Sequence, residues 1–171
     1  DFRVIVDYAH SPESLMFFFA AIRPLIANKL IVIFGACGDR DKAARAPMGS
    51  ILEQFADIII LTTDDPYSED PADIAEMVEE GFIRHLEQSE RSRVHRDSSP
   101  ADRNDVLIRI LDRKEAIQKA LEMAQKNDCV CILGKGAEQF QVFNNKKIPW
   151  DDRTIIRSLL NQKDSGYERK V

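Results

Sequence analysis

Residues 30–41 read LIVIFGACGDRD, and this stretch decides the fold. Ile31, Val32, Ile33 and Phe34 form an unbroken apolar run that stops at Gly35 and gives way to Gly38, Asp39, Arg40 and Asp41. A short β-branched and aromatic run without polar alternation predicts a strand buried on both faces, as in a parallel sheet. Glycines at its end let the backbone turn with positive φ and leave room for a ligand. Ligands of open α/β sheets bind beyond the carboxyl ends of the strands. Arg40, with a planar fork suited to carboxylate or phosphate, is therefore expected on the working edge.

The same grammar recurs along the chain. Residues 3–6 (RVIV) predict a strand followed by the loop Asp7-Tyr8-Ala9-His10-Ser11-Pro12, with Ser11 as N-cap of a helix reaching Ile22. The strand at 29–34 is followed by its loop, a basic segment at 42–47 and a helix over 48–55. A third strand at 56–61 runs into the acidic loop 62–71, and Pro71 opens a helix to about Leu86. The polar stretch 88–105 carries a possible short strand at 93–95 and a surface loop at 98–104. Residues 106–110 read as a further strand or the approach to one. Asp112 is placed to cap a helix over 113–126. The strand at 128–133 (DCVCIL) ends in Gly134-Lys135-Gly136-Ala137-Glu138. Residues 139–142 and 146–149, joined by Asn144-Asn145, predict a hairpin. Asp151 or Asp152 caps a last helix to about Leu160, and 161–171 reads as a flexible C-terminal tail.

Composition narrows the function classes. The chain has 171 residues, 44% hydrophobic and 31% charged, with a net charge of −5. That balance and the lack of a basic cluster argue against nucleic acid as the main partner. No apolar run approaches the roughly 20 residues that span a bilayer, so no membrane partner is expected. No basic-then-apolar leader opens the chain, which makes a cytoplasmic setting the default expectation. Residues 1–6 read as a strand already under way, as if a preceding domain had been cut away.

Four loops, 7–12, 35–41, 63–70 and 134–138, each follow a strand, so a parallel sheet aligns them on one edge. His10 stands where a helix N-terminus favours anions, or it hydrogen-bonds within its own turn. Arg40 clamps a carboxylate, or it pairs with Asp39, Asp41 or Asp65. Asp64 and Asp65 resemble a pair for an ammonium group or a metal, and equally a pair of turn carboxylates. Gly134-Lys135-Gly136 looks like a phosphate cradle but lacks P-loop spacing. Cys129 and Cys131 share a strand face without a zinc-like ligand set, and read as core.

In order, DYAHSPES, FGACGDRD…APMG, TTDDPYSEDP, LDRKEAI, GKGAEQFQ and WDDR resemble the C-terminal domain of the Mur ligases, closest to the MurE type. Those ATP-dependent enzymes add the third residue of the peptidoglycan stem to UDP-N-acetylmuramoyl-L-Ala-D-Glu. The resemblance covers about residues 4–160. It implies a Rossmann-like three-layer α/β domain with a mostly parallel six-stranded sheet and one antiparallel strand. Residues 1–160 then form that domain, and the N-terminal UDP-binding and central ATPase domains of the family are absent from this chain.

By the same resemblance, Asp7, Tyr8 and His10 lie on the nucleotide side, facing a central domain in cis. Arg40 takes the carboxylate of the incoming amino acid, Asp64, Asp65 and Tyr67 select its side chain, and Gly134 and Glu138 complete the pocket. ATP and Mg²⁺ are implied as cofactors, held mainly by the central domain. No catalytic residue and no metal ligand falls within this chain, and the isolated domain is expected to be inactive. Meso-diaminopimelate enzymes carry Asp-Asn-Pro-Arg at the selecting loop, whereas this chain has Asp64-Asp65-Pro66-Tyr67. Loss of that arginine and an added acid point to a diamino acid with a cationic side chain, L-lysine first and L-ornithine next. Ala137 stands where many members have His. Other readings are a related amide ligase, of the folylpolyglutamate synthase or cyanophycin synthetase type, and a noncatalytic nucleotide- or amino-acid-binding module. A ligand-free structural domain is the remaining alternative.

Overall fold

The computed structural model describes the backbone of residues 1–93 and 106–167, and the side chains of 1–82 and 106–162. Five parallel strands make the central sheet: β1 (Arg3–Asp7), β2 (Leu30–Phe34), β3 (Ile58–Leu61), β4 (Val106–Arg109) and β5 (Cys129–Leu133). Their spatial order is β1-β5-β2-β3-β4, so the last of these five in sequence inserts between the first two. Every residue of β2, β3 and β5 is buried, as continuous apolar runs require when helices cover both faces.

Side-chain alternation sorts the core into two halves. Leu30, Val32 and Phe34 of β2 join Ile59, Leu61, Cys129, Cys131 and Leu133 against helices α1 (Pro12–Ile22), α2 (Arg45–Phe55) and α3 (Pro71–Arg93). Ile31 and Ile33 join Ile58, Ile60, Val130 and Ile132 against α4 (Arg113–Met123) and α5 (Asp152–Tyr167). The result is the expected three-layer α/β domain. Cys129 and Cys131 lie 3.8 Å apart within the first half-core, where their burial was expected.

Local sequence sets the boundaries. Ser11 caps α1 in a reciprocal box with Ser14, and Pro12 supplies the first helical turn. Asp112 caps α4 by accepting the Glu115 N–H. Of the two candidates at α5, Asp151 is the cap: its carboxylate accepts the Arg153 N–H. Asp152 turns inward instead.

Four details differ from the sequence reading. The six-stranded mixed sheet is a sheet of five parallel strands, and the antiparallel pair stands apart as a hairpin of β6 (Phe140–Phe143) and β7 (Lys146–Pro149). Its turn residues Asn144 and Asn145 have φ of 48° and 60°, which asparagine tolerates best after glycine. The hairpin is held by the β3 loop rather than by a sheet edge: Tyr67 N–H donates to Val142 O and Asn144 N–H to Tyr67 O. Second, α2 begins at Arg45 after a short 3₁₀ turn at Lys42–Ala44. Third, α3 runs past Leu86 to Arg93, so Arg93 is helical; the rest of the expected strand at 93–95 and the loop at 98–104 lie outside the described residues. Fourth, α5 continues through Tyr167 where a tail from residue 161 was expected. Asn161 to Ser165 contain no proline or glycine to stop it. Residues 168–171 lie outside the described residues.

Candidate functional site

The loops after β1, β2, β3 and β5 meet at the carboxyl edge, and glycines make the meeting possible. A Cβ on Gly35 would stand 2.6 Å from Thr62 O and 2.7 Å from Asp64 N, and one on Gly38 would overlap the Pro66 carbonyl. One on Gly134 would overlap the Asp64 carboxylate, and one on Gly136 would press on Tyr8. Gly35 and Gly38 thus serve close approach, not the positive φ expected of them. In the β2 loop that conformation falls to Asp39, at 52°, while Gly134 and Gly136 adopt it after β5.

At the centre lies Lys135, with none of its side chain exposed. Its ammonium donates to Asp65 Oδ1 at 2.8 Å, Glu138 Oε2 at 3.0 Å and Asp64 Oδ1 at 3.2 Å. Burial alone would drive this amine towards neutrality, yet the three carboxylates hold its pKa above the ordinary lysine value. Gly134-Lys135-Gly136 is therefore not a phosphate cradle. Asp64 and Asp65 do resemble a pair for an ammonium group, and the ammonium they hold is internal. Both are buried. Asp65 Oδ1 also accepts the Val142 N–H at 2.8 Å, which fixes the hairpin. Asp64 has its carboxyl raised above the usual range, burial outweighing Arg113 and Lys135. Its Oδ2 is buried with no hydrogen-bond partner among the described residues.

A second buried pair braces this group from below. Arg113, fully buried on α4, donates through Nε and Nη2 to both oxygens of Asp152, at 2.9 and 2.8 Å, and to the Leu133 carbonyl at 3.1 Å. Trp150 Nε1 donates to the same Asp152 at 2.8 Å. Gln141 donates to the Asp64 carbonyl at 3.0 Å.

Arg40 is exposed and makes none of the ion pairs with Asp39, Asp41 or Asp65 that its neighbours offered. Its guanidinium lies over the Tyr67 ring, 5.8 Å from the centroid. Tyr67 itself holds φ 50°, a left-handed conformation supported by its bridge to Phe143. Glu138 is partly exposed beside it. Arg40 also lines a cleft of about 360 Å³ shared with His10, Ser11, Asp41 and Met48.

On the β1 side, Asp7 Oδ1 accepts the Ala9 N–H, which shapes the turn. His10 Nδ1 lies 2.6 Å from the Tyr8 carbonyl. A carbonyl can only accept, so Nδ1 is the donor in this contact. Of the two readings of His10, hydrogen bonding within its turn is what the geometry has. The Tyr8 ring, half exposed, meets His10 edge to face at 4.5 Å between centroids. An exposed aromatic beside an exposed imidazole suits a flat heterocycle. Among the described residues no group of three or more His, Cys, Asp or Glu could hold a metal.

Sequence reasoning overlooked four residues: Lys135 as an internal cation, and Arg45, Glu69 and Arg113. A lysine two positions past an all-apolar strand, with paired aspartates shortly after another, was the available signal for Lys135. Nothing in the local pattern marks Arg113, whose partner is 39 residues away.

Comparison with known proteins fits this geometry. Residues 1–136 match the family model described as "Mur ligase, glutamate ligase domain". The chain is 37% identical over 164 residues to the UDP-N-acetylmuramoyl-L-alanyl-D-glutamate--2,6-diaminopimelate ligase of Caldanaerobacter subterraneus subsp. tengcongensis, covering 96% of this chain and 30% of that protein. It is 37% identical over 163 residues to the UDP-N-acetylmuramyl-tripeptide synthetase of Treponema denticola, covering 94% and 28%. A solved UDP-N-acetylmuramoyl-L-alanyl-D-glutamate--2,6-diaminopimelate ligase superposes with a TM-score of 0.77 at 32% identity, over 94% of this chain and 29% of that one. The chain thus spans under a third of the length of these relatives.

Proposed function

Since this chain belongs to the Mur ligase family through its glutamate ligase domain, we propose that it is the amino-acid-selecting C-terminal domain of a UDP-N-acetylmuramoyl-tripeptide synthetase. The full-length parent would join a diamino acid to the D-Glu γ-carboxylate of UDP-MurNAc-L-Ala-D-Glu. ATP, bound with Mg²⁺ mainly by a central domain in cis, would supply the phosphoryl group that activates this carboxylate as an acyl phosphate. Tyr8 and His10 would lie against the nucleotide. Asp7 would act through the turn that presents them. An ATP-dependent reaction on a UDP-linked precursor would put the parent in the cytoplasm.

This chain's own part is positioning and electrostatics. The observation that carries the reading is Arg40: an exposed guanidinium, braced on Tyr67, lining the cleft it shares with His10. There it would hold the amino acid's carboxylate while the amine faces the activated D-Glu. Gly134 keeps the β5 loop close to Asp64, and Glu138 presents a partly exposed carboxylate beside the side-chain pocket. Asp64 and Asp65 would shape the selecting loop from within.

L-lysine is the proposed substrate, with L-ornithine next. The argument from a free acidic pair does not survive, because Lys135 answers both charges. What supports lysine is that the four strand-end loops carry one lysine or arginine besides Arg40, and that one, Lys135, is already paired with three carboxylates. Lys135 serves three carboxylates, Arg45 and Lys42 serve Glu69, Arg113 serves Asp152 and Arg153 serves Asp151. Tyr67 stands where an arginine would be needed. The names of the relatives favour a second reading, diaminopimelate.

The test is ATP-dependent phosphate release by the full-length parent with UDP-MurNAc-L-Ala-D-Glu and each of L-lysine, L-ornithine and meso-diaminopimelate. Lysine-dependent turnover is expected. Turnover with diaminopimelate alone would keep the ligase and discard the lysine assignment. No turnover with any of the three would bring forward the related amide ligases or a noncatalytic binding module.

A further inference from the structure

Glu69 gathers donors from one loop onto a single carboxylate. Arg45, whose side chain is 1% exposed, reaches it with both terminal nitrogens, Nη2 to Oε1 at 2.7 Å and Nη1 to Oε2 at 2.9 Å. Lys42 Nζ lies 3.0 Å from Oε2, and the Asp39 N–H donates to Oε1 at 2.6 Å. These three residues bracket Arg40 on both sides. Glu69 belongs to the other loop, two residues after Tyr67.

The same two loops are stitched at further points. Gly38 N–H donates to the Asp65 carbonyl at 2.8 Å, and the Ser68 hydroxyl donates to Asp39 Oδ1 at 2.7 Å. Arg45 Nη2 also binds the Cys37 carbonyl at 3.1 Å. Among the described residues Arg40 takes no part in this network; its guanidinium lies over the Tyr67 ring. An exposed arginine carries much rotamer freedom, and its aim depends on where its backbone is held. Asp39, immediately before it, adopts φ 52° and has both its N–H and its carboxylate tied to the Tyr67 loop.

We infer that Glu69 is a positioning residue for Arg40, clamping the β2 loop to the selecting loop so that the guanidinium and the Tyr67 ring form one rigid recognition unit for the amino-acid substrate. This rests on Arg40 being the carboxylate clamp. Glu69 touches no substrate; it acts through Asp39, Lys42 and Arg45. Fixing the guanidinium before binding lowers the ordering cost of association, so the effect belongs in amino-acid affinity rather than in turnover.

The experiment is steady-state kinetics of the full-length parent as wild type, Glu69→Gln, Arg40→Ala and the double variant, varying each substrate separately. Glu69→Gln should raise the amino-acid KM about tenfold while the KM values for ATP and UDP-MurNAc-dipeptide stay within about twofold. On the Arg40→Ala background, Glu69→Gln should add less than about twofold, because its target is already gone. A merely structural role predicts additive effects and a rise in all three KM values. Should Glu69→Gln fail to fold, Ser68→Ala removes the hydroxyl bond to Asp39 without stranding a buried charge, and should raise the amino-acid KM alone by about threefold. An unchanged amino-acid KM in both Glu69→Gln and Ser68→Ala, or additivity with Arg40→Ala, overturns the inference. If Arg40→Ala itself leaves the amino-acid KM unchanged, it is the clamp reading that falls.

Discussion

The Lys135 ammonium stands 2.8 Å from the Asp65 carboxylate, although β2 lies between the strands that these two residues follow. The pair crosses the end of β2 and ties the two loops that flank it. Breaking a buried pair strands the surviving charge, which costs about 3–5 kcal/mol. Lys135→Met should therefore lower unfolding stability by about that amount in urea denaturation of the 171-residue chain. Adding Asp65→Asn should restore part of the loss. A loss below about 1 kcal/mol would mean that the cluster is solvated or protonated.

Acid should expose the second knot. Glu69 has its carboxyl lowered from 4.5 to about 2, first by the Arg45 hydrogen bond and then by Lys42 and Asp39. A depressed carboxyl contributes stability above its unfolded value and loses it as pH falls through its folded value. Wild type should thus lose a Glu69-dependent increment between about pH 4.5 and pH 2. Glu69→Gln should be less stable at neutral pH and show a flatter profile across that window. Parallel profiles for the two proteins would contradict the assignment.

The single tryptophan reports on the third pair. Trp150 donates to Asp152, which is held by the fully buried Arg113. Asp152→Asn should shift Trp150 emission and destabilise the chain by about 3–5 kcal/mol, since a buried guanidinium loses its counter-charge. Asp151→Ala, at the helix cap, should cost about 1 kcal/mol and leave the emission nearly unchanged. Equal effects would place the stabilisation in the cap.

Position 67 should control the amino acid. Tyr67→Arg in the full-length parent supplies the missing fork for a distal carboxylate, and a desolvated charge pair of this kind is worth about 2–5 kcal/mol. Meso-diaminopimelate turnover should rise relative to lysine by at least tenfold, roughly 1.4 kcal/mol of discrimination. An unchanged preference would remove Tyr67 from the selecting loop.

The layers, the capped starts of α1 and α4 and the buried strands were legible because periodicity, caps and punctuation act over a few residues. Leu30 to Phe34 reads as a doubly buried strand on its own, and Ser11-Pro12 as a helix start. The hairpin was also legible, but not where it docks, because docking depends on Asp65 and Val142, 77 residues apart. The candidate site was half readable. That Arg40 and Tyr67 lie on loops at one sheet edge could be read from the sequence, whereas the direction in which Asp65 faces could not. A carboxylate in an acidic loop reads as an exposed attractor for cations. Only the fold shows that Lys135 reaches it first. Glu69 and Arg45 look like surface charges in any local window, and their role follows from two loops that only the parallel sheet brings side by side.

The most direct test of the account is the amino-acid dependence of phosphate release by the full-length parent carrying Arg40→Ala, at saturating ATP and UDP-MurNAc-L-Ala-D-Glu. Loss of a bidentate carboxylate contact should raise the amino-acid KM by about 30-fold or more, on the order of 2 kcal/mol, with the ATP KM, measured separately by varying ATP at saturating amino acid, within about twofold of wild type. An amino-acid KM equal to that of wild type would contradict the claim that these loops hold the incoming amino acid through Arg40.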